Sequence, residues 1–136
     1  MKKAIVLSTF LFFYFTTNAQ RKINDNCSLL NIVFSDISIG NYFNINSFDS
    51  IHINTDKNQF SSCDSFEING VKFRIIDKND KNRYEGKWLT LTTVIRPKNS
   101  LTIYLDDESR EISYLLVVRK VKTKYIITNR DFGRIE

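Results

Sequence analysis

Ser65-Phe66-Glu67-Ile68-Asn69-Gly70-Val71-Lys72-Phe73-Arg74-Ile75-Ile76 is the stretch that decides the fold. Apolar and polar residues alternate on both sides of Asn69-Gly70, and that pair supplies the positive φ angles of a type I′ turn, so the stretch predicts a two-residue β-hairpin. The period of two recurs around it. Ser50 to Asn54 alternates about Ile51 and Ile53. After a polar loop from Asp77 to Lys87, Trp88 to Arg96 reads as a strand, Pro97-Lys98-Asn99 as a turn, and Leu101 to Leu105 as the returning strand. Asp106 to Arg110 turns the chain again. Glu111 to Val121 follows, apolar on both faces, as a strand in the middle or most covered part of the sheet would be. Lys122-Thr123 leads into a last strand from Lys124 to Thr128, which the tail to Glu136 can prolong past Gly133.

Upstream of the strands the period changes. Leu29, Leu30, Val33, Phe34 and Ile37 make one helical stripe, with Asn26 or Ser28 as N-cap and Gly40 as a stop. Tyr42, Phe43 and Ile45 read as a short turn packed beneath this helix. The expected fold class is therefore α+β: one N-terminal amphipathic helix packed on a twisted, mostly antiparallel sheet of about six strands ending in a C-terminal meander. There is no internal repeat, and the single proline, Pro97, falls at a turn where its missing donor does no harm.

The first nineteen residues have a different character. Lys2 and Lys3 form a basic start, Ala4 to Phe15 is almost wholly apolar, and Thr17-Asn18-Ala19 puts small residues at −3 and −1 of a cut before Gln20. Residues 1–19 read as a signal peptide, too short in apolar length for a spanning helix, so no stable membrane insertion is expected after cleavage. Cys27 follows Asn24-Asp25-Asn26, unlike a lipoprotein signal. Residues 20–26 read as a flexible lead-in and 27–136 as a single domain. The product is expected to be secreted or periplasmic.

Cleavage removes two lysines from a chain of net charge +5. The remaining excess is too mild to argue for nucleic acid. Much of it sits late, in Arg119, Lys120, Lys122, Lys124, Arg130 and Arg134, where a weakly basic edge could favour an anionic surface although a solvated face explains it more simply.

Cys27 and Cys63 are the only cysteines, and an oxidising compartment makes them a disulfide pair closing a loop of about 36 residues, for which chain entropy gives about 3 to 4 kcal/mol. A catalytic thiol would need a base, and the only histidine, His52, alternates with Ile51 and Ile53 as an outward strand residue. No cofactor is implied: the four glycines are too scattered for a phosphate loop, and neither a zinc set nor a calcium loop occurs. Asp106-Asp107-Glu108 is explained by a hairpin turn. Asn26-Cys27-Ser28 matches the N-glycosylation triplet but has its middle cysteine expected in the bridge, and Asp49-Ser50-Ile51 resembles an O-glycosylation triplet of a kind that chance supplies often.

The strand alternation offers one surface. If Leu89, Leu91, Ile95, Leu101, Ile103, Val71, Phe73 and Ile75 face the helix, then Trp88, Thr90, Thr92, Thr102, Tyr104, Lys72 and Arg74 share the other face. Aromatics, hydroxyls and two cations there form a candidate recognition surface, although threonine and tyrosine also simply suit exposed strands.

Leu29-Leu30-Asn31-Ile32-Val33-Phe34-Ser35-Asp36, Tyr42-Phe43 and Ser62-Cys63-Asp64-Ser65-Phe66-Glu67-Ile68 together resemble small uncharacterised secreted proteins of flavobacterium-like bacteria, a resemblance over about 50 residues that implies no activity. In order and length the elements are similar to cystatin-like and NTF2-like cones. The function expected is an exported non-enzymatic binding or interaction module, inhibitor- or immunity-like, for a protein or cell-envelope partner. The alternative is a small NTF2-like or cystatin-like pocket protein with hydrolase or isomerase-type activity. A filled helix–sheet interface favours binding, and a cavity lined by His52, Tyr114 or a buried carboxylate would favour catalysis.

Overall fold

The computed structural model describes residues 27–60, 62–80 and 85–134. The signal-like segment 1–19 and the lead-in 20–26 lie outside the described residues. The fold is α+β: two short helices, α1 (Ser28–Ser35) and α2 (Ile37–Tyr42), precede seven strands, β1 (Ser50–Thr55), β2 (Ser65–Ile68), β3 (Val71–Asp77), β4 (Lys87–Arg96), β5 (Ser100–Asp107), β6 (Ile112–Val121) and β7 (Lys124–Arg134).

The single helix expected from the apolar stripe is broken. Asp36 takes an extended conformation (φ −67°, ψ 125°) between α1 and α2, so the stripe does not continue to Ile37, which is 79 % exposed. The break turns α2 so that Ile39 is buried instead. Gly40, expected to stop the helix, sits inside α2, which runs on to Tyr42. Phe43 and Ile45 pack into the core as anticipated.

The strands pair in the order β2-β3-β1-β4-β5-β6-β7. The hairpin forms as read: Asn69 (φ 51°) and Gly70 (φ 84°) make the turn, and Ile68 pairs with Val71. The C-terminal meander β4 to β7 is antiparallel throughout. The expectation of about six mostly antiparallel strands is corrected at β1, which is parallel to both β3 and β4 and makes the sheet mixed. Alternation sets which face a strand buries and says nothing about which neighbours flank it, and both neighbours of β1 lie far along the chain. β6 stands next to the edge strand β7 rather than in the middle.

β3 and β4 flank β1 and run the same way, and the chain joins the end of one to the start of the other. It leaves where Lys78 N–H bonds the Thr55 carbonyl and re-enters where Lys87 pairs with Ile51. The 3-10 turn Lys57–Phe60 meets β4 beyond the end of β1, with Thr55 Oγ1 donating to the Leu91 carbonyl (2.8 Å) and Thr93 Oγ1 bonding Gln59.

The core lies between the helices and one face of the sheet. Leu29, Leu30, Val33, Phe34, Ile39 and Phe43 pack against Ile51, Ile53, Phe73, Ile75, Leu89, Leu91, Ile103, Leu105 and Leu116. Phe34 lies 4.9 Å from Phe73, which stacks on Phe66 at 4.8 Å. One residue departs from the expected inner set: Ile95 is 53 % exposed because β4 runs on past the region the helices cover. Cys27 and Cys63 meet as a disulfide pair with Cα atoms 5.0 Å apart, tying the start of α1 to the approach to β2.

Candidate functional site

Paired residues on neighbouring strands share a face, so the register defines the outer face, away from the helices, row by row. Arg74 (β3), His52 (β1) and Trp88 (β4) form one row. Asn54, Thr90, Asp106 and Ser113 form the next. Thr92, Tyr104, Leu115 and Asp131 follow, then Val94, Thr102, Val117 and Asn129. Trp88, Thr90, Thr92, Thr102, Tyr104, Lys72 and Arg74 thus share one face, with Thr92 directly opposite Tyr104.

They do not make one continuous surface. β1 stands between Lys72 and Arg74 on one side and the β4–β5 residues on the other, and a Cβ on Gly86 would lie 3.9 Å from the His52 ring. Gly86 thus lies against His52, between Arg74 and Trp88 on that row. Thr102 is only 8 % exposed and offers no hydroxyl at the surface, whereas Lys72, Arg74 and Thr92 are exposed and Trp88, Thr90 and Tyr104 half-buried.

His52 and Trp88 pack with ring centroids 5.0 Å apart. Burial, and after it the charge of Arg74, hold the His52 pKa below its ordinary value against a backbone bond at Lys87, so the imidazole is neutral at neutral pH. Asp106 is displaced the other way: burial, and after it the nearby Glu108, raise its pKa. In the same row, on the far side of Thr90, Asn54 is 4 % exposed with an Oδ1 that has no hydrogen-bond partner among the described residues.

The helix-facing side leaves its polar groups occupied. Tyr114 is buried, its hydroxyl 2.9 Å from Ser38 Oγ and its ring 5.2 Å from that of Tyr42, whose hydroxyl donates to the Gly133 carbonyl (2.9 Å). Asp107, fully buried, pairs with Lys87 and accepts from Ser109 Oγ (2.7 Å), while the Lys87 ammonium lies 5.4 Å from the Phe48 ring centroid. Burial is the largest single influence on Asp107 and pushes its pKa up. The Lys87 bond, the Ser109 bond and the Lys87 charge together outweigh it and hold the carboxyl below the usual range. Across the helix break, Asp36 receives two bonds from the Arg130 guanidinium (3.1 and 2.9 Å) and one from Ser38, and the Arg130 bond is the main reason its pKa is lowered.

Among the described residues no group of three or more His, Cys, Asp or Glu could hold a metal, and no helix is long and apolar enough to cross a membrane. Sequence reasoning missed Asn54, the Lys87–Asp107 pair and the Asp36–Arg130 bridge. Asp36 to Arg130 spans 94 positions, so no local pattern could have announced it. Asp107 did carry a signal: it keeps the phase of the buried Ile103 and Leu105. No protein-family model, no curated protein and no solved structure matches the chain.

Proposed function

We propose that this chain is an exported, non-enzymatic interaction module that binds a protein or cell-envelope partner through exposed sheet surface, a role of the inhibitor or immunity type. The observation that carries this reading is the helix–sheet interface: among the described residues its buried side chains are aliphatic and aromatic, and the groups that could have done acid–base work there, Tyr114 and Asp107, are spent on Ser38 and on Lys87 and Ser109. Surface is what remains to act. Of the expected face, the part beyond β1 fits best, where Tyr104 and Thr92 stand side by side and Trp88 lies further along β4. Export is supported by the signal-like first nineteen residues and by the paired cysteines.

Affinity capture from envelope extract tests the reading, with the oxidised protein as bait and a Thr92→Glu/Tyr104→Ala variant beside it. A partner retained by the parent and lost by the variant, at unchanged melting temperature, is the expected result. Equal capture by both would remove this face from consideration, and turnover of a substrate in a hydrolase panel would remove the non-enzymatic reading.

A further inference from the structure

We propose that the end of the sheet formed by the β4–β5 and β6–β7 turns is a docking tip for an anionic lipid surface. The meander outruns the rest of the sheet: β1 pairs with β4 only as far as Thr90, whereas β4 continues to Arg96. Both turns fall at the same end, because Ser100 pairs with Arg119 and the Lys120 N–H bonds the Asn99 carbonyl at 2.8 Å. That contact gathers Arg96 and Lys98 from one hairpin with Arg119, Lys120, Lys122 and Lys124 from the other. No acidic residue occurs from Val94 to Leu105 or from Ile112 to Arg130, so the gathered charge is unopposed along these strands. The acids lie at the far end of β5, in Asp106, Asp107, Glu108 and Glu111, about 25 Å away for a strand of this length. The molecule is thus charged unequally along its sheet, and a negative surface attracts it tip first.

The tip also carries apolar side chains that the fold leaves out. Val121 and Ile126 are 44 % and 49 % exposed. The register puts Arg96, Ser100, Arg119 and Ile126 in one outer-face row, with Val121 and Lys124 in the next and half-buried Val94 and Val117 behind them. Aliphatic residues set among cations are what an anionic bilayer interface accepts: the cations meet headgroup phosphates while the aliphatics enter the boundary region. A lipid surface fits better than an acidic protein for two reasons. Four of the six cations are lysines, mobile point charges suited to a diffuse field rather than to bidentate pairing with carboxylates. The exposed apolar residues Val121 and Ile126 are aliphatic, and the one aromatic ring among them, Tyr125, is half-buried with the Lys120 ammonium 5.3 Å from its centroid rather than offered as the exposed anchor a protein hot spot uses.

This tip is distinct from the Thr92–Tyr104 surface, so its failure and the failure of that reading are separately visible. The test is co-sedimentation of the full chain with vesicles of phosphatidylcholine alone and with an added fraction of phosphatidylglycerol. A Lys120→Glu/Lys122→Glu/Lys124→Glu variant and a Val121→Ser/Ile126→Ser variant are run beside the parent, each checked for an unchanged melting temperature. Every chain keeps the apolar N-terminal segment, so differences between them report the tip. The parent is expected to bind the anionic vesicles at least about tenfold better than neutral ones, with the preference abolished by the charge reversal, weakened by the serine pair and screened by salt. Equal partition into both vesicle types overturns the proposal, as does an anionic preference that survives charge reversal. Absence of vesicle binding by a parent chain that captures an acidic protein through the same lysines assigns the tip to that protein class instead.

Discussion

Asp107 shows how much rests on one buried side chain. Its carboxylate and the Lys87 ammonium are both withdrawn from water, and removing one partner strands the other. Asp107→Asn is expected to cost about 3 to 5 kcal/mol in denaturant unfolding, whereas an apolar pair, Lys87→Met with Asp107→Leu, should recover most of that loss. The sign of the pH dependence follows from the lowered pKa values of Asp107 and Asp36. Their contribution is complete above the ordinary carboxylate pKa of about 4 and is lost as pH falls through the depressed values, so the parent weakens in acid and the Asp107→Asn protein should weaken less steeply. At this scale the sequence was legible where chemistry is local, as in Asn69-Gly70, whose φ angles are those an I′ turn demands. It was illegible where a partner comes from far along the chain, as with Lys87 for Asp107 or Arg130 for Asp36.

Elements were read more reliably than their neighbours. Period-two alternation and turn residues located the strands, with β6 read from a run apolar on both faces, but pairing depends on loop paths, and the turns that determined β4 to β7 have no counterpart around β1. The apolar stripe likewise located a helix without revealing that Asp36 would divide it. The disulfide belongs to this level, since it fastens α1 to the entry of β2. A Cys27→Ser/Cys63→Ser variant is expected to lose about 3 to 4 kcal/mol, read as a lowered melting temperature that reductant reproduces in the parent and leaves unchanged in the variant.

Over the whole molecule, the covered centre and the extended tip should differ in how readily they open. β1 is hydrogen-bonded on both sides with Ile51 and Ile53 buried, whereas β4 and β5 beyond Ile95 and Ser100 stand outside the helices. Hydrogen exchange is expected to leave β1 amides protected to near the global unfolding energy while those of Arg96, Lys122 and Lys124 exchange far sooner. Equal protection at both ends would contradict this division. The outer face was legible as a set of positions and illegible as a surface, because the placing of β1 between β3 and β4 is a consequence of topology.

The parallel placement of β1 also imposes an order of events. β1 is the first strand made, yet its partners, β3 and β4, both come later, so it has nothing to pair with until Lys72 to Asp77 exist and no second neighbour until Lys87 to Thr90 follow. Contacts of such long sequence separation are slow to form. Residues 50–55 lie inside the covalent loop closed by Cys27 and Cys63. The bridge that fastens the helix therefore also encloses, in one covalent loop, a strand that depends for both its neighbours on chain made after it.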